Sequence, residues 1–72
     1  MPIAPTPTAE RVQIRRAELG LTHAALSRRA GVTPARLRRF VYYGERLSPA
    51  ELDRIASVLG LDPAELRAGV AA

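Results

Sequence analysis

Hydrophobic residues along the chain recur at the spacing of α-helices, and no segment shows the strict alternation of a β-strand. Leu37, Phe40 and Val41 follow the i, i+3, i+4 pattern of one buried helical face, whereas Ile14 lies off the stripe of its own segment. The other positions predicted to face a core are Val12, Leu19, Leu21, Leu26, Ala30, Val32, Leu47, Leu52, Ile55, Ala56, Leu59, Leu61 and Leu66. The pattern therefore predicts an all-α domain with short connections.

Cap residues divide this pattern into five helices, because each segment begins after a Ser, Thr or Asp and ends near a glycine. The predicted N-caps are Thr8, Thr22, Thr33, Ser48 and Asp62, and the predicted helices are residues 9–19, 23–30, 34–43, 49–59 and 63–68. Residues 1–8 contain three prolines and are predicted to form a flexible arm. Residues 9–69 are then the folded domain, and residues 70–72 form a tail.

The composition excludes several classes of function. A chain of 72 residues with no cysteine and one histidine holds neither disulfides nor a multi-histidine zinc site, and it contains no glycine-rich phosphate loop. We therefore expect no enzyme, cofactor, metal or small-molecule ligand. No apolar run approaches the ~18 residues of a membrane span, and the first residues lack the pattern of a signal peptide. A cytoplasmic location without membrane contact is expected.

The basic residues are concentrated in the first half of the chain. All eleven are arginines, and residues 1–39 carry a net charge of +6 whereas residues 40–72 carry −2. No acidic residue lies between Leu19 and Gly44, a segment that contains five arginines. A surface of one sign favours a polyanionic partner. Nucleic acid is the first candidate, because the planar guanidinium group matches both phosphates and guanine edges.

Residues 22–43 have the spacing of a helix-turn-helix motif, since two short helices are joined through Ala30, Gly31, Val32 and Thr33. Here the chain resembles the Cro and lambda-repressor type, or xenobiotic-response-element, family. The segments that carry the resemblance are residues 15–22, 26–33, 37–40, 47–48 and 52–61. Over residues 10–66 the resemblance implies a five-helix, lambda-repressor-like DNA-binding domain.

Three positions depart from the usual pattern of this family. His23 stands where glutamine is usual, and Ser27 stands where a small alanine is common. Val41 occupies the position at which many members have a glutamate that pairs with the residue matching Arg16. Without that partner, Arg16 is expected to turn outward toward a phosphate.

The helical geometry of residues 34–43 predicts which side chains face away from the core. With Leu37, Phe40 and Val41 inward, the outward face is formed by Ala35, Arg36, Arg38, Arg39, Tyr42 and Tyr43, with no acidic residue among them. The resemblance places this face in the major groove and implies base contacts at the positions of Pro34, Ala35 and Arg39. The flanking Arg36 and Arg38 complete the predicted set of base-contacting residues.

The predicted phosphate contacts lie near the ends of the two motif helices and in the loop that follows them. They are Arg16, Thr22, His23, Arg28, Thr33, Tyr42, Tyr43 and Arg46. For some of these residues a structural role remains open. Arg28 and Arg29 also suit the dipole at the end of their helix, and the two tyrosines could instead cover the edge of the core.

The sequence thus predicts a small transcriptional regulator that binds double-stranded DNA, and more specifically a repressor that occupies a palindromic operator as a homodimer. Phage or plasmid repressors, restriction–modification controllers and antitoxins are the kinds of protein that the resemblance implies. The predicted dimer contacts are Val58, Leu61, Leu66 and Val70, although Leu61 and Leu66 could instead close the monomer core. Two alternatives remain, an antitoxin-like or adaptor module that binds proteins and a non-specific nucleic-acid-binding helix bundle.

Overall fold

The computed structural model describes the backbone of residues 6–71 and the side chains of residues 6–68. It contains five α-helices and, within those residues, no strand, which confirms the predicted fold class. The helices are α1 (Pro7–Glu18), α2 (His23–Ala30), α3 (Pro34–Tyr43), α4 (Pro49–Leu59) and α5 (Pro63–Ala71). No helix in the described part of the chain combines the length and the hydropathy that a membrane-spanning segment needs.

Local capping interactions set most of the helix ends where the sequence predicts them. The hydroxyl oxygens of Thr22, Thr33 and Ser48 each accept a backbone N–H from the first turn of α2, α3 and α4. Ser48 and Glu51 form a complete capping box, because the backbone N–H of Ser48 also donates to Glu51 Oε1 at 2.8 Å. These three helices therefore have the predicted bounds.

The first helix begins two residues earlier than predicted, because Thr6 and not Thr8 is its N-cap. Thr6 precedes Pro7, and proline at the first helical position costs no hydrogen bond. Thr8 is instead buried within the helix, where its hydroxyl donates to the carbonyl of Leu66 at 3.2 Å and joins α1 to α5. Of the predicted arm, residues 1–5 lie outside the described residues.

The last helix is longer than predicted, since α5 continues through Gly69 to Ala71. Glycine lowers helix propensity by ~1 kcal/mol but does not by itself end a helix. The predicted tail, residues 70–72, therefore overlaps the helix, and Ala72 lies outside the described residues.

The core lies where α4 packs against α1, α2 and α5, with α3 packed against α1 and α2. Its buried hydrophobic side chains are Ala9, Val12, Leu26, Ala30, Val32, Leu37, Phe40, Val41, Leu47, Leu52, Ile55, Ala56, Leu59 and Leu66. Leu21 and Leu61 are only partly buried against this cluster, so the prediction that they face the core is confirmed in part. Ile14 is exposed, in agreement with its position off the stripe.

Leu19 was predicted to face the core, but its exposed fraction is 43%. The reason is that α1 ends at Glu18, so Leu19 is a C-cap residue that no longer follows the helical stripe. The stripe itself turns polar at Arg15 and Arg16, which donate to the carbonyl oxygens of Leu59 and Leu21 respectively.

Candidate nucleic-acid interface

The turn between α2 and α3 is closed by local hydrogen bonds and one glycine. Gly31 has a φ of 68°, in the left-handed region where a side chain would be strained. Buried Ser27 donates its hydroxyl to the carbonyl of Val32, and the Val32 N–H donates to the Ser27 carbonyl at 3.1 Å. The serine that departs from the family pattern therefore ties the end of α2 to the turn and fixes how α3 leaves it.

The two faces of α3 separate as its sequence pattern predicts. Leu37, Phe40 and Val41 are buried in the core. On the opposite side the exposed residues are Pro34, Ala35, Arg38, Arg39, Tyr42 and Tyr43. This outward face of α3 presents two arginines, two tyrosine hydroxyls and small apolar groups to solvent, which is a surface able to contact base edges and phosphates.

Arg36 is the exception on this face, because its guanidinium group is bound to an acidic side chain of α4. Its Nε donates to Glu51 Oε2 at 2.6 Å and its Nη2 donates to Glu51 Oε1 at 2.9 Å. Its Nη1 also lies 3.5 Å from Glu45. No acidic residue belongs to the outward face itself, but the fold brings two glutamates from the next loop and helix beside Arg36.

Arg39 is held much less firmly than Arg36. Its Nε lies 3.7 Å from Glu45 Oε2, too far for a hydrogen bond, and 58% of its side chain is exposed. Surface ion pairs of this kind contribute ~0–1 kcal/mol. The guanidinium group of Arg39 can therefore leave Glu45 for a stronger partner at little cost.

His23 is half-buried at the start of α2 and lies beside the outward face of α3. Its Nε2–H donates to Gln13 Oε1 at 2.7 Å, and its ring lies edge-on to that of Tyr42 with centroids 6.1 Å apart. Burial, and then the nearby charges of Arg16 and Arg38, lower the pKa of His23 below its usual 6.5. The neutral ring of His23 therefore uses its single N–H for Gln13, and Nδ1 can donate to a phosphate only when the ring is protonated.

Arg16 does not turn outward, contrary to the expectation from its missing glutamate partner. Its Nε donates to Gln13 Oε1 at 3.0 Å, and its Nη1 donates to the carbonyl of Leu21 at 2.6 Å. Gln13 and a backbone carbonyl therefore replace the usual carboxylate, and they hold the side chain against the loop that precedes α2.

The remaining predicted phosphate contacts include two helix caps and two exposed arginines. Thr22 and Thr33 cap the two motif helices through their oxygens, which leaves each hydroxyl proton available. Arg28 and Arg46 are exposed. Among the described residues, the guanidinium groups of Arg28, Arg29, Arg38 and Arg46 form no ion pair. In the same part of the chain Arg16 and Arg54 form no ion pair either, but their guanidinium groups donate to backbone carbonyls, so the four exposed arginines are the ones available to a partner.

Sequence reasoning did not identify Glu45, Glu51 and Gln13 as partners of the predicted DNA contacts. The capping-box pattern places Glu51 in the first turn of α4, but nothing local indicates that α4 brings it to Arg36, 15 positions earlier in the chain. Within the part of the chain that the structure describes, no three acidic or histidine side chains form a group that could hold a metal ion.

The predicted dimer residues divide into two kinds. Leu66 is 1% exposed and belongs to the monomer core, so its assignment to an intermolecular surface is wrong. It is buried because α5 packs on both α1 and α4. Val58 and Leu61 are partly buried against the core and partly at the surface. The side chain of Val70 lies outside the described residues.

Solved structures with the same fold include a DNA-binding domain, a restriction–modification controller protein and part of one longer chain. The N-terminal DNA-binding domain of SinR from Bacillus subtilis superimposes with a TM-score of 0.77 and 23% identity, covering 83% of this chain and 88% of that chain. SinR has also been crystallised in complex with DNA. The restriction–modification controller protein C.AhdI from Aeromonas hydrophila gives a TM-score of 0.74 and 20% identity, covering 82% and 89%.

HppE, in its FeII form with substrate, is more similar in sequence. It gives a TM-score of 0.71 and 37% identity, but the match covers 88% of this chain and only 37% of that chain. A comparison with curated protein sequences gives no significant match.

The helix-turn-helix family model matches residues 12–66, which is most of the chain and spans all of α2, α3 and α4. This region includes the closed turn at Gly31 and the outward face of α3 described above. The chain belongs to the helix-turn-helix family of the Cro/C1 type, a family of DNA-binding regulators.

Proposed function

We propose that this protein binds double-stranded DNA in a sequence-specific manner and regulates transcription, with the outward face of α3 in the major groove. In the finer form of the proposal it is a repressor, acting in the cytoplasm, that occupies a palindromic operator as a homodimer. A protein bound at an operator blocks access to the same DNA by other proteins. Occupancy by itself is therefore enough for repression.

The observation that carries the proposal is the exposure of Arg38 and Arg39 on α3, directly after a closed helix-turn-helix turn. Arg38 has no ionic partner among the described residues, and Arg39 has only the long contact with Glu45. A bidentate contact between arginine and guanine contributes ~1–3 kcal/mol to discrimination between bases. Ala35 offers a methyl group for a thymine, and Pro34 lies at the end of the helix that would enter the groove first.

Phosphate contacts are proposed for residues that flank this face. Arg28 and Arg46 supply exposed charge, and the hydroxyl groups of Thr22, Thr33, Tyr42 and Tyr43 supply neutral donors. His23 can donate to a phosphate through Nδ1 only in its protonated form, whereas Arg16 and Arg36 are omitted because their guanidinium groups are bound within the protein. SinR, which shares the fold, has been crystallised in complex with DNA, and this supports the proposal.

Dimerisation is proposed because one short helix contacts only a few base pairs. Two copies on a two-fold operator place their α3 helices about 34 Å apart, one turn of DNA. The C-terminal half, with its charge of −2, is better suited to self-contact than the basic half. Val58 and Leu61 are the proposed contact residues, together with the end of α5.

The experiment that tests the proposal is selection from a random duplex library, followed by binding and sedimentation with the selected duplex. We expect an enriched palindrome with half-sites ~10–10.5 base pairs apart and two protein chains per duplex. A plot of log K against the logarithm of the salt concentration should have a slope of about −0.9 for each phosphate contacted. Uniform binding to all duplexes would instead indicate the non-specific helix bundle, and a one-to-one complex on a non-repeated site would exclude the dimer.

A second candidate is a helical module that does not bind DNA, because HppE, which contains this fold, was crystallised with FeII and a substrate. A domain of this fold makes up about a third of that longer chain, at higher identity than SinR shows. In this case the basic face of α3 binds an acidic protein surface and not DNA. Absence of binding to any duplex at low salt would exclude the DNA proposal and favour this candidate.

A further inference from the structure

Arg36 and Glu51 form the most tightly fitted ion pair on the outward side of α3. Both oxygens of the carboxylate accept from the guanidinium group, at 2.6 and 2.9 Å, which is the parallel two-bond arrangement of the strongest arginine–carboxylate pairs. The side chain of Glu51 is only 14% exposed, compared with 36% for Glu45 beside it. Water therefore competes weakly for Glu51.

Glu51 is itself fixed by the first turn of α4. Its Oε1 accepts the backbone N–H of Ser48, and its own N–H donates to the Ser48 hydroxyl at 3.2 Å. The bonds from Arg36, followed by that from Ser48, lower the pKa of Glu51 to about 2, so the carboxylate stays charged at any physiological pH. The acceptor is therefore permanent and rigidly placed, unlike a flexible surface glutamate.

This pair changes which arginines of α3 can contact DNA. Arg36, Arg38 and Arg39 lie within four residues, but Arg36 is on the flank of the helix and is bound to α4. A long, unpaired arginine on that flank would reach a phosphate in any sequence and in any approximate docking pose. Such a contact strengthens non-cognate binding without contributing information about bases.

We infer that Glu51 is a specificity-determining positioning residue, which holds Arg36 away from the phosphate backbone and anchors α3 to α4 so that Arg38 and Arg39 make the sequence-dependent contacts. This inference rests on the proposed DNA-binding function. In a non-cognate complex the protein adopts many poses, so a released Arg36 gains a phosphate. In the operator complex the base contacts fix the position of the protein, so a released Arg36 adds less affinity there than in a non-cognate complex.

Glu51→Gln is the variant that tests the inference, because glutamine also completes a capping box and keeps the side-chain volume. We expect affinity for a non-cognate duplex to rise about eightfold at ~0.1 M salt, and the salt slope to steepen by about 0.9, the effect of one added phosphate contact. The ratio of operator to non-cognate affinity should fall by a similar factor. Asp53→Asn is the matched control, because it removes one acidic charge from an ion pair with Arg67 on another face of α4.

A second variant, Arg36→Met combined with Glu51→Gln, removes the released cation and should return the ratio to within twofold of the wild type. Equal ratios for Glu51→Gln and Asp53→Asn would overturn the inference, since only general charge would then matter. Loss of base preference at one operator position in the double variant would also overturn it, because Arg36 would then be a base contact. If the wild-type protein binds no duplex, the proposed DNA-binding function is wrong. If it binds DNA but Glu51→Gln leaves the ratio of operator to non-cognate affinity unchanged, only the role inferred for Glu51 is wrong.

Discussion

The arginines of this molecule divide into two regions that use the same side chain differently. In one group, here called the packed arginines, Arg15, Arg16 and Arg54 donate to backbone carbonyls of other segments, although Arg54 itself is exposed. On the exposed side, Arg38 and Arg46 extend into solvent with no ionic partner among the described residues. Net charge alone does not distinguish the two groups, and it therefore overstates how much positive charge is available to a partner.

The packed arginines act mainly at helix ends. Arg54 Nε donates to the carbonyl of Ala30, the last residue of α2, at 2.8 Å, and Arg15 Nε donates to that of Leu59, the last residue of α4, at 3.0 Å. The last carbonyls of a helix have no partner within it and carry the negative end of the dipole. A guanidinium group satisfies both needs at once, so these arginines stabilise the fold.

The largest expected effect separates the two regions directly. Replacing exposed Arg39 by alanine should lower operator affinity by ~1–3 kcal/mol, because a bidentate base contact is lost. Base preference should be lost at only one position in each half-site. The free energy of unfolding should change by less than about 0.5 kcal/mol. Binding measured on a panel of single-base operator variants, together with urea unfolding, checks both parts.

Arg11→Ala is the control for this measurement, because it removes the same charge from α1, where Arg11 pairs with Glu65 at 2.9 Å. It should weaken binding to all sequences slightly and equally. If Arg39→Ala behaves in the same way, with no change in base preference, Arg39 contacts a phosphate and its assignment to a base is wrong.

A packed arginine should show the reverse result. Arg54→Met should cost ~1–2 kcal/mol of unfolding free energy, because the carbonyl of Ala30 loses a charged donor. Operator affinity of the folded protein should change little. Arg29 is exposed in the last turn of α2, the helix that ends at Ala30, and provides the matched control. Arg29→Met should cost less than half as much unfolding free energy in the same chemical denaturation experiment. Equal costs would mean that general charge at the end of α2, and not the hydrogen bond, provides the stabilisation.

The Arg36–Glu51 pair should make the free energy of unfolding depend on pH in the acidic range. The pKa of Glu51 is lowered from 4.5 to about 2, so its stabilising contribution is complete above pH 4.5 and is lost as the pH falls toward 2. Allowing for the partial exposure of Arg36, we expect a loss of about 1 kcal/mol. The difference in unfolding free energy between wild type and Arg36→Met isolates this term, because other carboxylates contribute to both. A difference that stays constant from pH 5 to pH 2 would show that the pair does not stabilise the fold.

Most of the fold is predictable because its signals are local. Thr22, Thr33 and Ser48 cap helices through groups three residues away, and the spacing of Leu37, Phe40 and Val41 identifies the inward face of α3. The errors occur where two local signals compete. Thr6 and Thr8 both suit an N-cap, but Pro7 favours Thr6, and the hydroxyl of Thr8 donates instead to Leu66, 58 positions away.

The candidate site is less predictable because long-range contacts determine which polar groups remain available. The outward face of α3 follows from periodicity, but Arg36 is withdrawn from it by Glu51 of the following helix. Similarly, Gln13 binds both His23 and Arg16, and no motif indicates this. Leu66 fits a surface or a core equally well in sequence, and the packing of α5 places it in the core.

The smallest expected effect concerns a third use of arginine, in pairs that join helices at the surface. Arg67 of α5 lies 2.6 Å from Asp53 of α4, but both side chains are 46% exposed, so water and salt compete for each group. A double-mutant cycle with Arg67→Gln and Asp53→Asn should therefore give a coupling of ~0.2–1 kcal/mol at low salt. At 1 M salt, where the screening length is ~3 Å, most of this coupling should disappear. The cost of Arg54→Met, measured in the same two buffers, should change much less, because a short hydrogen bond to the neutral carbonyl of Ala30 depends less on ionic strength than a pair of charges does. A coupling above 1 kcal/mol that persists at high salt would show that this surface pair stabilises the fold as firmly as the hydrogen bonds of the packed arginines do.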